Sequence, residues 1–254
     1  MKIKFLGTGG VHGIPVWNCD CSVCKSSDPK DKRLRPCIMI SNEDGNILVD
    51  FGQDLRAQLM KYGIKKLDLA LLTHAHGDHT YGFQELAVQE NLKFQTHPDV
   101  LEEFERRLGS SKGWLERRNP TIKIEGFTPK EMFGMSIESI HLEHKKDYSK
   151  IDVPCYGYVF RSGGSSFAYL TDFNRIIEED KLGHVNVMVV DGNETDPGKG
   201  HLGIDGSIEL YKRLKPDRMI LTHINHKKSH KEIQEYVSKH GNIEVAFDGM
   251  EIEL

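Results

Sequence analysis

Short apolar runs bounded by Gly, Asn or Asp recur near the start of the chain and predict β-strands. The predicted strands cover residues 3–6, 38–41, 47–50 and 69–73. Between the third and the fourth of these strands, residues 54–62 read as a helix. Because strand follows strand before any helix, the pattern does not describe a simple βαβ repeat.

The rest of the chain changes between helical and strand-like patterns. A helical stretch at about residues 98–107 precedes a polar loop that contains Gly109 and Gly113. Four strands follow, at residues 121–125, 136–141, 156–160 and 166–170. The final third predicts strands at 185–190, 218–221 and 243–247 and helices at 204–214 and 229–240. Two strand-rich blocks, each followed by helices, indicate two packed sheets with helices outside.

Composition places the chain among globular proteins. Its 254 residues show no internal repeat, low-complexity segment or long linker, so we expect a single domain over residues 1–254. Apolar residues make up 38%, enough for a sizeable core. The run at 185–190 is far shorter than the ~18 residues of a membrane-spanning helix, so no membrane partner is expected. Residues 1–5 read as a strand and not as a signal peptide, and we expect a cytoplasmic protein.

Charge and cysteine content narrow the expected partners. The formal net charge is −4, so long nucleic acid is not expected, whereas a small anionic substrate at a local site is compatible. Of the 5 cysteines, Cys19, Cys21 and Cys24 are bunched together, which suits a metal better than a disulfide framework. The 13 histidines are more informative about a metal site than the cysteines, because histidine is the commonest metal ligand.

The densest group of ligand-type side chains follows the predicted strand at 69–73. It consists of three imidazoles and one carboxylate, His74, His76, Asp78 and His79. A lone histidine is more often a solvated side chain than a ligand, but four such residues at one strand end can converge on an ion. Neutral imidazole and carboxylate together suit Zn, Mn or Fe. This segment therefore predicts a metal site.

The spacing His-x-His-x-Asp-His in residues 74–79 resembles the signature of the metallo-β-lactamase superfamily of binuclear hydrolases. The resemblance implies an α/β fold, a four-layer αββα sandwich, which agrees with the two strand-rich blocks. It also implies three later ligands, for which His144, Asp172 and His223 stand in the right order. His141 competes with His144 and by strand alternation could instead face a sheet surface.

The same resemblance implies how these ligands divide between two metals. One metal would be held by His74, His76 and His144, the other by Asp78, His79 and His223, and Asp172 would bridge them.

A narrower resemblance spans almost the whole chain. Residues 5–10, 13–17, 221–226 and 247–252, together with the cysteine group, resemble the phosphoribosyl cyclic phosphate phosphodiesterases of the carbon–phosphorus lyase pathway of phosphonate degradation. That resemblance implies a separate structural zinc held by Cys19, Cys21, Cys24 and His226. Cys37 and Cys155 have no partner in this scheme and are expected to be ordinary buried thiols.

The narrower resemblance also implies an activity. The substrate would be a small phosphorylated sugar, 5-phosphoribosyl 1,2-cyclic phosphate, opened to ribose 1,5-bisphosphate by a hydroxide bridging two divalent ions, Mn²⁺ or Zn²⁺. His201 aligns with a histidine near the substrate and is predicted as general acid and substrate contact, with Asp78 as the other catalytic residue. Arg33 and Arg35 are candidates for a phosphate clamp. They belong to a run of basic residues, however, and such a run more often forms a solvated charged face.

Three other readings stay open. Two are members of the same superfamily, a tRNA 3′-processing endonuclease and a pyrroloquinoline quinone biosynthesis protein, which residues 17–24 resemble. The endonuclease needs a surface that binds tRNA, but the sequence has neither a net positive charge nor a long Gly/Pro-rich arm. The third is a non-catalytic zinc-stabilised binding module, against which the full set of seven candidate ligands counts. The sequence leaves the metal identity and a homodimer open.

Overall fold

A computed structural model describes residues 1–145, 152–193 and 200–254, which form strands, seven α-helices and short 3₁₀ turns. The strands are β1 (Lys2–Gly7), β2 (Cys37–Ser41), β3 (Asn46–Val49), β4 (Leu69–Leu72), β5 (Lys93–Thr96), β6 (Lys123–Gly126), β7 (Lys130–Met132), β8 (Met135–Lys145), β9 (Asp152–Ser162), β10 (Ser165–Leu170), β11 (Arg175–Ile176), β12 (Val187–Asp191), β13 (Arg218–Thr222), β14 (Ile243–Val245) and β15 (Glu251–Glu253). The helices are α1 (Ser22–Lys25), α2 (Leu55–Lys61), α3 (Gly77–Thr80), α4 (Pro98–Leu108), α5 (Ser111–Arg118), α6 (Gly203–Leu214) and α7 (His230–Val237). The 3₁₀ turns are Pro29–Asp31, Phe83–Val88, Glu179–Lys181 and Ser238–His240.

The first sheet contains seven strands in the order β15-β1-β2-β3-β4-β5-β6. Strands β15, β1, β2 and β3 pair antiparallel, and β3 to β6 pair parallel. Strand β4 reads Leu-Ala-Leu-Leu and is buried along its whole length, as expected of a parallel strand covered on both faces. Its carboxyl end leads directly into residues 73–79.

The second sheet runs β11-β8-β9-β10-β12-β13-β14, with β7 paired to β8. A long antiparallel hairpin of β8 and β9 continues into β10, after which β10, β12, β13 and β14 are parallel. The carboxyl ends of these parallel strands therefore lie at one edge of the sheet, where loop side chains can meet.

The two sheets pack face to face, with helices on both outer surfaces. Between them lie buried side chains from both sheets, among them Ile3 and Phe5 from β1 and Tyr158 and Phe160 from β9. The outer face of the first sheet packs against α2, α4 and α5, and that of the second sheet against α6 and α7. This is the predicted αββα sandwich, and the fold class is confirmed.

Several local predictions were wrong. The stretch with Gly109 and Gly113 is not a loop throughout, because Ser111–Arg118 forms α5, whose Leu115 is fully buried in the outer core. Strands β5 and β15 were not predicted, since each is only three or four residues long and takes its place from pairing with β4 or β1. Pairing across the sheet decides these elements more than local propensity does.

None of the helices in the three described stretches has the length and apolar character needed to cross a membrane.

Candidate metal centre

The loop after β4 carries the first four candidate ligands. His74 and His76 lie in the turn, and Asp78 and His79 lie in the one-turn helix α3. The close approach of this helix to the loop after β3 explains Gly52, because a Cβ there would lie 2.0 Å from the carbonyl oxygen of Asp78. The backbone N–H of Phe51 also donates to the carbonyl of His79 at 2.8 Å. The position of α3 is thus fixed by close backbone contacts to the loop after β3.

The seven residues that the sequence analysis predicted as ligands of a binuclear centre lie close together. Their ligand atoms form two groups of four, and within each group all atoms lie within 4.8 Å of one another. Both groups contain Asp172, whose Oδ2 lies 3.2 Å from His74 Nε2 and 3.0 Å from His79 Nε2. We call them the first quartet, His74, His76, His144 and Asp172, and the second quartet, Asp78, His79, Asp172 and His223.

Three histidine nitrogens that face this centre are buried and lack a hydrogen-bond partner, as expected of metal ligands. The Nε2 atoms of His74, His76 and His79 are buried and make no hydrogen bond of acceptable geometry, although carboxylate oxygens are close to two of them. Burying such a polar atom without a partner is unfavourable, by about 1–3 kcal/mol. A divalent cation among three or more imidazole and carboxylate groups would satisfy these atoms, so the donor set fits two such ions.

Contacts behind the ligands hold the imidazoles in place. Asp50 Oδ2 lies 2.8 Å from His79 Nδ1, and its carboxylate also accepts from the hydroxyl and the backbone N–H of Thr73. His144 Nδ1 donates to the carbonyl of Gly200 at 2.8 Å. A carboxylate or carbonyl on the far ring nitrogen directs the other nitrogen toward a metal. Asp50 was missed by the sequence analysis, although it ends an apolar strand as Asp172 does.

Electrostatics separate the histidines into two kinds. Burial lowers the pKa of His74 to about 3 and that of His76 to about 2, so these imidazoles are neutral at physiological pH. Burial would also lower the pKa of His79, but the carboxylates of Asp50, Asp172 and Asp78 outweigh it and raise that pKa well above its ordinary value. Burial raises the pKa of Asp172, but His223 and His79 outweigh burial and hold it well below the usual range. The surplus of carboxylate charge around the second quartet favours a cation there.

His201 lies beside the centre and is held by a residue that the sequence analysis missed. His201 Nδ1 is hydrogen bonded to the carboxylate of Asp191, which is fully buried at the end of β12. Burial lowers the pKa of His201, but Asp191 outweighs this effect and raises it to about 9. The ring of His201 stacks on His223 with a centroid distance of 5.1 Å. Together with Asp172 and His223, this pair forms a further group of four ligand-type residues.

The cysteine group and His226 form a separate cluster. The Sγ atoms of Cys19, Cys21 and Cys24 lie 3.4, 3.5 and 3.6 Å from His226 Nδ1. Tetrahedral zinc with Zn–S near 2.3 Å and Zn–N near 2.0–2.1 Å requires sulfur and nitrogen ligands to be roughly 3.5 Å apart. These four atoms therefore have the spacing of a Cys₃His zinc site.

The other candidates take different positions. Arg33 is only 2% exposed, and its guanidinium donates to Thr8 and to the carbonyl of Ala246 and lies 3.2 Å from His230. These contacts join three segments of the chain, so its prediction as a phosphate ligand is not supported by its position. Arg35 Nη1 donates to both carboxylate oxygens of Asp54 at 3.0–3.1 Å, and its Nε donates to the carbonyl oxygen of Val11 at 3.0 Å.

The structure also places His141 and the two remaining cysteines. His141 stacks on Tyr156 with a centroid distance of 5.0 Å and is not part of either quartet, so His144 is the histidine of this strand that reaches the centre. Cys37 and Cys155 are fully buried free thiols, as expected.

Comparison with known proteins finds relatives that align with most or all of this chain. A family model described as the beta-lactamase superfamily domain matches residues 45–224. An octanoyltransferase of Porphyromonas gingivalis is 27% identical over 99% of this chain and 51% of its own length, so the chain spans about half of that relative. The coenzyme PQQ synthesis protein B of Ectopseudomonas mendocina is 28% identical over the full length of both proteins.

Solved structures show the same fold. A diphosphatase described as a new member of the PhnP family superposes with a TM-score of 0.85 and 27% identity, covering 100% of this chain and 97% of that one. Zn²⁺-bound PqqB from Methylobacterium extorquens gives a TM-score of 0.86 at 20% identity, with both chains fully covered. The short form of human tRNase Z gives 0.70 at 18% identity over 100% of this chain and 99% of the other. The last two likenesses concern the fold alone.

Proposed function

The chain belongs to the beta-lactamase superfamily, and from this premise we propose that it is a metal-dependent phosphodiesterase that opens a small cyclic phosphate. The preferred substrate is 5-phosphoribosyl 1,2-cyclic phosphate, with ribose 1,5-bisphosphate as the product. The observation that carries the proposal is the pair of quartets that share Asp172, with His201 held against them by Asp191. The likeness to a diphosphatase at 27% identity supports chemistry at phosphorus.

The seven quartet residues would hold two divalent ions, Mn²⁺ or Zn²⁺. When bound, such ions stabilise negative charge on phosphoryl oxygens and lower the pKa of water. The neutral imidazoles of His74 and His76 offer lone pairs without competition from protons, and Asp172 offers one carboxylate to both positions. The Cys₃His cluster would hold a third ion, a structural zinc that fixes the loop carrying His223 and His226.

His201 would serve as the general acid. Ring opening forms a bond between phosphorus and a water oxygen and breaks the bond from phosphorus to the sugar oxygen, which then needs a proton. Asp191 binds Nδ1 of His201, which leaves Nε2 as the nitrogen that can give a proton to that oxygen. Asp191 also favours the protonated ring, and only 14% of the His201 side chain is exposed. Asp191 is therefore a positioning residue for the acid.

A second candidate is a role in pyrroloquinoline quinone synthesis, favoured by the full-length similarity to PQQ synthesis protein B. The name octanoyltransferase is not carried over, because the chain covers only half of that relative. A tRNA 3′-processing role rests on fold likeness alone, and the net charge of −4 opposes it.

A substrate panel tests the proposal. Metal-loaded protein would be assayed by ³¹P NMR with 5-phosphoribosyl 1,2-cyclic phosphate, a linear phosphodiester and a tRNA precursor, and with His76→Ala as the control for contaminating enzymes. We expect turnover of the cyclic phosphate to exceed the other two by orders of magnitude. Preferential cleavage of the tRNA precursor, or cyclic phosphate turnover equal to that of His76→Ala, would refute it.

A further inference from the structure

Three neighbouring parallel strands of the second sheet end in ligand-type residues. The strand order β10-β12-β13 places β12 in the middle. Asp172 follows β10, Asp191 is the last residue of β12, and His223 follows β13. Adjacent strands are about 4.8 Å apart, so side chains at neighbouring strand ends can reach the same ion. The first two quartets include Asp172 and His223 but leave Asp191, on the middle strand, outside.

Asp191 and His201 complete a third group of four ligand atoms, which we call the third quartet. It consists of Asp172, Asp191, His201 and His223, whose ligand atoms all lie within 4.8 Å of one another, as in the first two quartets. His201 Nδ1 lies 3.8 Å from Asp172 Oδ1 and is hydrogen bonded to Asp191 Oδ2. Asp191 Oδ1 accepts from the backbone N–H of Asn193 at 2.7 Å, so the carboxylate is held with Oδ2 toward His201.

The third quartet offers the same donor atoms as the second quartet. Each contains two carboxylates and two imidazoles, and Asp172 and His223 belong to both. The two residues that belong to the third quartet alone are shielded from solvent, because Asp191 is fully buried and the His201 side chain is 14% exposed. Mixed imidazole and carboxylate sets of this kind suit Zn, Mn or Fe. The third quartet is therefore as suitable for a divalent ion as the second.

His223 can complete only one of these two quartets at a time. Its Nε2 lies 3.2 Å from Asp78 Oδ2 in the second quartet and 3.2 Å from Asp172 Oδ1, which lies on the side of His201. An imidazole nitrogen has one lone pair and therefore binds one ion. The second and third quartets thus describe two alternative positions for a single ion, and not two ions with complete ligand sets.

The spacing of the ligand atoms ranks the two positions. Nitrogen and oxygen ligands of one tetrahedral ion lie roughly 3.3 Å apart. Asp78 Oδ2 and His79 Nε2 are already 3.6 Å apart. His201 Nδ1 and Asp191 Oδ2 are instead hydrogen bonded to each other, so an ion has to separate them and send the proton of that bond to solvent. The second quartet is therefore the preferred position in the wild type.

We propose that the second divalent ion has an alternative binding position at the third quartet. There it keeps two ligands, Asp172 and His223, and gains Asp191 and His201. The ion takes this position when a ligand of the second quartet is weakened or lost. This inference goes beyond the proposed function, in which Asp191 and His201 hold and transfer a proton, because it makes the same pair a metal-binding group.

A double-mutant cycle of Zn²⁺ affinity tests the proposal on the full chain. Titration in zinc buffers gives the Kd of the most weakly bound ion in wild type, Asp78→Asn, His201→Gln and the double variant. We expect His201→Gln to raise this Kd less than about twofold in the wild type, where the ion is at the second quartet. In Asp78→Asn it should raise the Kd at least about tenfold, because the ion there depends on the third quartet.

Two further sets of variants secure this cycle. His184→Gln replaces His201→Gln as the matched control, because the His184 side chain is 60% exposed, and it should leave the Kd unchanged in both backgrounds. His79→Gln replaces Asp78→Asn, so that the conclusion does not depend on the folding of one variant. Equal effects of His201→Gln in the two backgrounds, or loss of the ion already in Asp78→Asn and in His79→Gln, would overturn the proposal.

NMR identifies the ligand atom directly. Protein with ¹⁵N-labelled histidine would be loaded with ¹¹³Cd²⁺, and a one-bond coupling between the two nuclei marks each nitrogen that binds an ion. We expect such a coupling at His201 Nδ1 in Asp78→Asn, and its loss in the double variant with His201→Gln assigns the signal. An ion bound to Asp78→Asn without coupling to His201 would refute the third quartet as its position. Both measurements follow metal binding and not turnover, so they decide about this position whether or not the protein opens cyclic phosphates.

Discussion

Asp172 Oδ1 lies 3.2 Å from His223 Nε2, and both residues have a backbone φ of +58°. Each follows a buried parallel strand of the second sheet, β10 or β13. Residues with a side chain occupy this left-handed region at a cost of about 1–2 kcal/mol. Asp50, behind His79, has the same feature, with φ of +64°. Three strand ends thus hold strained residues at the centre, a pattern typical of sites where function outweighs local stability.

The shared carboxylate gives the first prediction. We expect purified protein to contain about three divalent ions per chain, one in the cysteine cluster and two in the quartets. After dialysis, Asp172→Ala should retain only the ion of the cysteine cluster, because both quartets lose a ligand. Elemental analysis by mass spectrometry measures this, with Asp180→Ala on an exposed turn as the control. Unchanged metal content in Asp172→Ala would contradict the binuclear assignment.

The second prediction concerns Asp50, which binds the far nitrogen of His79. Asp50→Asn should lower metal affinity at the second quartet by about 10–100-fold, because a neutral amide supports the imidazole less well than a carboxylate does. Competition with a chromophoric chelator measures the affinity. Asp54→Asn removes a carboxylate of the neighbouring loop that pairs with Arg35, and should leave the affinity unchanged. Equal losses in the two variants would show a general charge effect.

The sequence analysis found the candidate metal ligands, but it missed residues that hold their surroundings in place. The segment 74–79 and the later residues His144, Asp172 and His223 could be found because ligand-type side chains at strand ends form a recognisable spacing. Asp191 was overlooked, although it ends an apolar strand in the same manner. The position of Arg33 could not be read from a charged run, because its burial depends on contacts with Ala246 and His230 from the far end of the chain.

The third prediction separates the cysteine cluster from the quartets. Loss of a structural zinc removes folding free energy, so Cys21→Ala should lower the thermal midpoint by several degrees and reduce zinc content by about one ion. His76→Ala should abolish turnover with a smaller loss of stability. Calorimetric melting together with metal analysis tests both variants. Retention of both the zinc and the melting temperature in Cys21→Ala would show that these cysteines are ordinary thiols.

The fourth prediction is a pH dependence of stability at His230. Burial, and then the charge of Arg33, lower the pKa of His230 to about 4 from an ordinary value of 6.5. The unfolded chain therefore binds more protons between these values, and the stability contributed by neutral His230 is lost as the pH falls from about 6.5 to about 4. His230→Gln, which cannot be protonated, should flatten this dependence.

Metal-free protein is the appropriate material for that measurement, because acid also displaces metals from imidazole and thiolate ligands. Urea unfolding between pH 4.5 and 7.5 would compare wild type with His230→Gln. His184→Gln, at a histidine whose side chain is 60% exposed, serves as the control and should follow the wild type. An unchanged slope in His230→Gln would place the acid sensitivity elsewhere.

The last prediction tests the role of His201. If it protonates the leaving sugar oxygen, His201→Ala should lower kcat for the cyclic phosphate by about 10²–10⁴, the usual contribution of a general acid. A p-nitrophenyl phosphodiester has a leaving group that needs no proton, so the variant should retain most of its activity on that ester. Asp191→Asn should lie between wild type and His201→Ala on the cyclic substrate, because the imidazole remains but loses the carboxylate that holds Nδ1. Equal losses on both esters would assign His201 to binding or pocket shape, and the proton would then have to come from another donor.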